Sequence, residues 1–284
     1  MARVAFLPHR ERAEAAALAK RAMTRLEELG HTCVVPATDA ASTGLDSWAV
    51  DEAVVAEELD LAVCLGGDGT FLHAVDLVGR HGVPILGVNV GHLAYLAQVE
   101  PEELDLTLDR FLAGDDLVQE RMLLEVVLQP ADGPARVVRH ALNEAVVRSA
   151  SAHVVHLEVS IDGELFTTFA ADALLVATPT GSTAYNLSAR GPIVVPELQA
   201  IIVTPVAPHQ LFDRSLVLGP DDSVRLELLG WRHGRLQCDG EDTADLGPGD
   251  AVVCRRGPWA VKVVSLGGRD FRRTLRAKFG LADR

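Results

Sequence analysis

An open α/β domain followed by a β-rich domain is the fold class that this sequence predicts, and three observations predict it. Short apolar runs alternate with helix-spaced apolar stripes through about the first hundred residues. One such run meets one such stripe at a glycine-rich turn, Gly66-Gly67-Asp68-Gly69-Thr70. Beyond about residue 117 the texture changes, and strand-like segments follow one another with turn residues between them.

Residues 3–7 are apolar and read as the first strand. Ala15, Leu18, Ala22, Leu26 and Leu29 recur at three- and four-residue steps, the spacing of one helix face, and Gly30 follows as a stop signal. Residues 32–35 and 61–65 read as further strands. After the glycine turn, Phe71, Ala74, Val75 and Val78 repeat the helical spacing. Residues 83–88 give another strand, and 102–112 a closing helix. Such alternation argues for an open, Rossmann-like parallel sheet with helices on both faces. We expect this N-terminal domain to span residues 1–117. The second, β-rich domain is expected over 118–266 and to be mostly antiparallel. Its turn signals are Asp132-Gly133, Asp162-Gly163, Gly219-Pro220, Asp239-Gly240 and Gly247-Pro248-Gly249. Leu157, Val159 and Ile161 alternate at strand period. The tail, from about residue 267, is basic, with Phe271, Leu275 and Phe279 at helical spacing; it is expected to pack back on the first domain.

The bulk numbers bound the function. The chain has 284 residues, 48% hydrophobic and 23% charged, the profile of a soluble globular protein. A net charge of −14 argues against broad nucleic-acid binding, which needs a basic face. It leaves room for a small phosphate ligand held by backbone N–H groups and a few arginines. No apolar run approaches the ~20 residues of a membrane helix, and residues 1–10 read as a strand rather than a signal peptide. The expected location is cytoplasmic, with no membrane partner. Cys33, Cys64, Cys238 and Cys254 sit in apolar, strand-like stretches without C-x-x-C spacing and read as buried free thiols. Lysine occurs only at Lys20, Lys262 and Lys278, so none is expected near the motifs.

A strand, a glycine turn and a helix together form an anion site, because the first N–H groups of the helix point outward. Glycines let the backbone approach closely and reach positive φ. Asp68 would repel a phosphate unless it has another task, either holding Mg²⁺ or accepting a proton from an attacking hydroxyl. The segment is not a P-loop, since G-x-x-x-x-G-K-[ST] is absent. Leu72 stands where a dinucleotide fingerprint needs its third glycine, which disfavours a hydride-transferring dehydrogenase. A second motif follows an apolar strand: Thr178-Pro179-Thr180-Gly181-Ser182-Thr183-Ala184-Tyr185-Asn186-Leu187-Ser188. Its hydroxyl and backbone donors suit a polar ligand, and Tyr185 offers a stacking face. No G-x-S-x-G elbow is present, so a serine hydrolase is excluded. Asn143-Glu144 reads as a polar pair inside the apolar strand 141–147, where it must find partners. Asn89-Val90-Gly91-His92 ends a buried strand, where open α/β sheets bind ligands.

Taken together these residues resemble the NAD kinase family. The resemblance runs from about residue 61 to 241 and rests on Gly66-Gly67-Asp68-Gly69-Thr70, Asn89-Val90-Gly91-His92-Leu93, Asn143-Glu144, and the run 178–188 with Gly191-Pro192 after it. It implies two domains with the active site between them, and transfer of a phosphoryl group from ATP or polyphosphate to the 2′-hydroxyl of the adenosine ribose of NAD. Asp68 would be the proton acceptor. Asn143 and Glu144 would hold the ribose and nicotinamide side. Gly69, His73, Asp172, Thr183, Ala184, Tyr185, Asn186, Leu187 and Ser188 would line the NAD pocket, partly across a subunit interface, with His153 and Glu241 near family binding positions. Mg²⁺, or another divalent cation, would bind through the donor's phosphates without a direct protein ligand, and the chain would form a homodimer or homotetramer. The sequence departs from the family pattern at His73, Ala94, Tyr95, Ala173 and Arg190, the last where glycine is usual. Two other readings remain: a lipid kinase, which shares the glycine–aspartate turn, and a non-catalytic dinucleotide sensor.

Overall fold

The computed structural model describes residues 1–91, 94–115, 118–151, 153–265 and 271–281. His92 and Leu93, which close the motif beginning at Asn89, the expected boundary at residue 117 and the start of the tail lie outside them. The chain forms two compact units, residues 1–120 with 260–284, and residues 121–259.

In the first unit the chain runs β1 (Arg3–Pro8), α1 (Ala13–Glu28), β2 (Thr32–Pro36), α2 (Ala37–Thr43), β3 (Ala49–Val50), β4 (Leu61–Gly66), α3 (Asp68–Val78), β5 (Ile85–Asn89) and α4 (Leu104–Leu112). Its strands are parallel in the order β3-β2-β1-β4-β5. Ala15, Leu18, Ala22 and Leu26 of α1 are buried as the stripe requires. Leu29, the last of the expected stripe, is 58% exposed, because the helix has ended and Leu29 is its C-cap. Phe71, Ala74, Val75 and Val78 all pack inward from α3. The chain leaves β1 to build one side of the sheet and later returns to β4 to build the other. The crevice beyond the C-terminal ends of β1 and β4 is therefore a topological switch point, the preferred ligand position in open α/β sheets.

The second unit contains most of β6 (Val118–Gln129), β7 (Arg136–Ala141), β8 (Glu144–Ser149), β9 (Val155–Ile161), β10 (Glu164–Ala171), β11 (Ala173–Ala177), a short helix α5 (Tyr185–Ser188), β12 (Ile201–Val206), β13 (Leu216–Leu218), β14 (Val224–Leu228), β15 (Gly234–Cys238), β16 (Glu241–Leu246) and most of β17 (Ala251–Val264). One sheet has the order β13-β12-β11-β8-β15-β16. The other carries β10, β9, β14 and β17, with β6 and β7 joined alongside β17. Pairing is antiparallel, and inward residues of both sheets, among them Leu124, Leu157, Phe169, Val147, Leu174 and Val203, form one core. Asp162-Gly163 and Asp239-Gly240 each place both residues at positive φ, the conformation of a tight hairpin turn. The far end of β17 returns to the first unit, where Val263 pairs in parallel with Ile85. In the tail, α6 (Phe271–Phe279) follows. All four cysteines are buried and free.

Candidate active site

The glycine turn is built differently from a loop. Gly66 is the last residue of β4, Gly67 is the N-cap of α3, and Asp68, Gly69 and Thr70 are its first turn. None of the three glycines has positive φ, contrary to expectation. Their small size serves instead. A Cβ at Gly67 or Gly69 would stand in open space, and that space belongs to a cavity of about 530 Å³ lined by Pro8, His9, Arg10, Glu11, Arg12, Asp39, Gly67, Gly69, Thr70 and His73. The missing side chains leave open space beside the start of the 11-residue helix, whose first N–H groups have no partner within the helix.

The charged side chains around this cavity are Arg10, Arg12 and His73 with Glu11 and Asp39. Arg10 Nε donates to Asp39 Oδ1 at 2.7 Å, and His73 Nε2 lies 3.6 Å from Asp39 Oδ2, an ion-pair separation too long for a hydrogen bond. Burial pushes the Asp39 carboxyl upward, but His73 and Arg10 outweigh it and hold it below the usual carboxylate range. Asp39 raises the His73 pKa in return, against the cost of burial. Arg12 reaches across the sheet end to donate to the Val90 carbonyl at 2.6 Å. Gly91 makes that possible, since a side chain there would occupy the space of the Arg12 guanidinium.

Asp68 faces another way. Its Oδ1 accepts the backbone N–H groups of Tyr95 at 2.9 Å and Leu96 at 2.8 Å, and Oδ2 is 3.1 Å from the Tyr95 nitrogen. At 100° per residue, His73 lies about 140° around α3 from Asp68 and only about 40° from Gly69. Lys278 Nζ of α6 sits over the Tyr95 ring, 3.1 Å from its centroid. Burial lowers the Lys278 pKa, while the Asp68 charge works to raise it. The expectation that no lysine approaches the motifs is thus corrected by the fold, which returns Lys278 from the far end of the sequence.

In the second unit, Asn143 lies outside the strands and Glu144 opens one. β7 ends at Ala141 and β8 begins at Glu144, with Leu142 and Asn143 as the connection. The cause is Asp239, whose carboxylate accepts the N–H groups of Leu142, Asn143 and Glu144 at 2.7, 2.7 and 3.0 Å and draws Leu142 and Asn143 out of the ladder. Glu144 is 5% exposed, and its Oε2 has no hydrogen-bond partner. Burial, with Asp239 adding to it, pushes the Glu144 carboxyl up to about 8, although the Tyr185 backbone N–H opposes the rise. Asp239 itself, which the sequence marks only as a turn residue, is raised by burial against those three N–H bonds.

The hydroxyl-rich run largely holds itself. Thr178 Oγ1 donates to the Leu142 carbonyl and accepts the Gly181 N–H. Ser182 Oγ donates to the Val194 carbonyl and accepts its N–H. Asn186 is fully buried, its amide donating to the Ser182 and Pro192 carbonyls and accepting from Thr204. These three side chains therefore shape the turn rather than offer it donors. Gly181 packs so closely that a Cβ would collide with the Asn143 carbonyl. We expect Gly181→Ala to destabilise the protein by about 1–3 kcal/mol through overpacking, read as a lower melting temperature with weakened NAD binding. Tyr185, 41% exposed, and Ser188 face outward, Thr183 is buried, and Ala184 and Leu187 are half-buried.

Arg190 adopts φ 63°, a left-handed conformation just beyond α5, and its N–H bonds to the Leu187 carbonyl. A residue without a Cβ tolerates this geometry best. Arg190→Gly should raise stability by about 0.5–1 kcal/mol, the relief of backbone strain less the extra freedom of the unfolded chain. A melting curve measures it, and a lower midpoint would count against the strain.

Strand register divides the remaining sequence-expected residues. Glu144 pairs opposite Ala177, and Cys238 opposite both Ala145 and Glu241. Asn143, Glu144, the 178–188 run, Asp239 and Glu241 therefore share one end of their sheet. Asp172 precedes Ala173, which pairs with Arg148 at the other end. The exposed Asp172 is roughly 16 Å away along the sheet, the length of a five-residue strand. His153, also exposed, follows that far end of β8.

Comparison with known proteins accounts for both units. A model of the ATP-NAD kinase N-terminal domain matches residues 4–116, and one of the ATP-NAD kinase C-terminal domain matches residues 142–266. An NAD kinase of Symbiobacterium thermophilum is 38% identical, the match covering 98% of this chain and 99% of that one. An NAD kinase of Heliobacterium modesticaldum is 43% identical over 78% of each. Among solved structures, yeast NADH kinase complexed with NADH superposes with a TM-score of 0.93 at 27% identity, covering 100% of this chain and 89% of its own. These likenesses favour neither the lipid kinase nor the non-catalytic sensor. With both halves matched and relatives aligned over nearly its full length, the chain belongs to the NAD kinase family.

Proposed function

We propose that this NAD kinase moves the terminal phosphoryl group of ATP or polyphosphate onto the 2′-hydroxyl of the adenosine ribose of NAD, with Asp68 as proton acceptor. The supporting observation is the Asp68 carboxylate, oriented by the Tyr95 and Leu96 N–H groups on the first turn of a helix whose other face opens on a cavity lined by Arg10, Arg12 and His73 among others. The ribose oxygen forms its bond to phosphorus as the bridging oxygen of the donor leaves, and the hydroxyl proton passes to Asp68. Phosphoryl transfer has a loose transition state, so positioning and charge neutralisation do most of the work. The N–H groups at Gly67, Asp68, Gly69 and Thr70, with Arg10 and Arg12, would supply both to the donor.

Mg²⁺ would be carried on the donor's phosphates, where it offsets their charge. The residues present fit that role better than a protein cage, because both Asp68 oxygens already accept N–H groups and Asp39 is matched by Arg10 and His73. Asn143, Glu144, Thr183, Ala184, Tyr185, Leu187, Ser188 and Glu241 would meet the dinucleotide, and Asn186 would hold their turn. Asp172 and His153, at the other end of the sheet, would serve the NAD site of a second copy, which makes a homodimer or homotetramer the working assembly. Among the described residues no helix is long and apolar enough to cross a membrane, and we place the enzyme in the cytoplasm. The direct test offers NAD and Mg²⁺ with ATP and polyphosphate in parallel, and diacylglycerol as a control acceptor. NADP formation is expected; tight NAD binding without NADP from any donor would return the sensor reading.

A further inference from the structure

We infer that His73 is a phosphoryl-donor contact, and that its charge, maintained by Asp39, sets how tightly the donor's phosphate chain is held. The inference rests on the kinase reading and adds a recognition residue to it.

The cavity beside His73 has the chemistry of a polyanion site. His9, Arg10, Arg12 and His73 stand around the helix start at Gly67, Gly69 and Thr70, with the exposed Glu11 beside them. The single buried carboxylate among them, Asp39, is 1% exposed and turned toward Arg10 and His73. The His73 side chain is about one-third exposed beside the cavity, while its Nε2 is buried and turned to Asp39 Oδ2 at 3.6 Å. With Nε2 committed to Asp39, a phosphate oxygen would meet the exposed part of the ring, where Nδ1 is the one remaining N–H donor of the imidazolium. The helix face matters too: Gly69, Thr70 and His73 share the cavity side, whereas Asp68 is turned to Tyr95 and Leu96. The donor's phosphates and the acceptor's hydroxyl thus have separate approaches to one helix end.

The groups that face His73 are Asp39 on α2, Arg10 with His9, Glu11 and Arg12 on the segment after β1, and Glu52 in the turn beyond β3. Asp39 and Glu52 favour the imidazolium; burial and Arg10 oppose it, and Asp39 prevails. The raised pKa keeps His73 charged to higher pH than a free histidine, and the charge is lost as pH rises further. Donor affinity should fall with it.

The test is calorimetric titration of inorganic tripolyphosphate into wild type, His73→Arg and His73→Gln, between pH 6 and pH 9. Titration of the probe itself cancels when the proteins are compared at each pH. Wild type should bind about as tightly as His73→Arg at pH 6 and about tenfold more weakly than it at pH 9, the worth of one charged contact. His73→Gln should be about tenfold weaker than His73→Arg throughout. A wild-type to arginine ratio that stays constant with pH overturns the proposal, as does a change confined to NAD affinity. The comparison of wild type with arginine decides the matter even where the glutamine variant is poorly folded. Because binding needs no turnover, an enzyme that forms no NADP would sink the kinase reading and leave this result standing.

Discussion

Asp68→Asn should remain folded, bind NAD, and form NADP about 10²- to 10⁴-fold more slowly, the usual contribution of a positioned proton acceptor. The folded state survives because Oδ1 accepts both the Tyr95 and the Leu96 N–H group. An asparagine oxygen in that place keeps both bonds, and only the longer approach of Oδ2 to the Tyr95 nitrogen, 3.1 Å, becomes a contact between two donors. What asparagine cannot do is take the hydroxyl proton as the oxygen–phosphorus bond forms. The loss should therefore fall on turnover, with the KM for NAD little changed, since an interaction made mainly in the transition state is the one removed. Steady-state kinetics with a melting curve separate the two effects. Near-wild-type turnover would remove Asp68 from the proton-acceptor role, and a collapsed melting curve would show that the carboxylate is structural.

Local signals are legible in the sequence and distant ones are not. The strand before the glycine turn and the helix after it follow from apolar spacing within a few residues, and the structure realises both as β4 and α3. The five turn signals of the second half all fall between strands for the same reason. The helix α2 gives no such signal, because its seven residues, Ala37–Thr43, are mostly alanine, serine and threonine and carry no apolar stripe. With it goes Asp39, whose importance comes from Arg10 and His73, each about thirty positions away. Asn143-Glu144 reads as strand interior because alternation cannot see Asp239, 96 positions on, pulling the backbone out of the ladder. The glycines at the helix start suggest unusual backbone angles; their use is the space that absent side chains leave. Lys278 is remote from the motifs along the chain, and α6 carries it to Tyr95.

Glu144→Gln should make the protein more stable in mildly alkaline solution and flatten its dependence on pH. In the folded protein the carboxyl titrates near 8, pushed up first by burial and then by the Asp239 charge. In the unfolded chain it titrates near 4.5. Between those values the native state holds a proton that the unfolded state has released, so stability falls as pH rises through the interval. Below about pH 4.5 both states are protonated and the group contributes no slope; above about 8 both are ionised and the loss is complete. Every tenfold difference in proton affinity between the two states is worth about 1.4 kcal/mol, so the full loss for a group this buried is on the order of several kcal/mol. Glutamine has nearly the same shape and no charge at any pH, and its amide can meet the Tyr185 N–H through oxygen. Urea unfolding at pH 5, 7 and 9 should show wild type losing stability relative to the variant at each step. Parallel curves would mean that Glu144 is already ionised in the folded protein. The same substitution also probes the ligand, because a carboxyl that is neutral at pH 7 can both donate to and accept from a ribose hydroxyl. An amide replaces it neutral for neutral, so NAD affinity at pH 7 should fall by less than about tenfold, the cost of one neutral hydrogen bond. A larger loss would indicate that NAD recruits the ionised form, and that binding the dinucleotide discharges the proton that the empty protein retains.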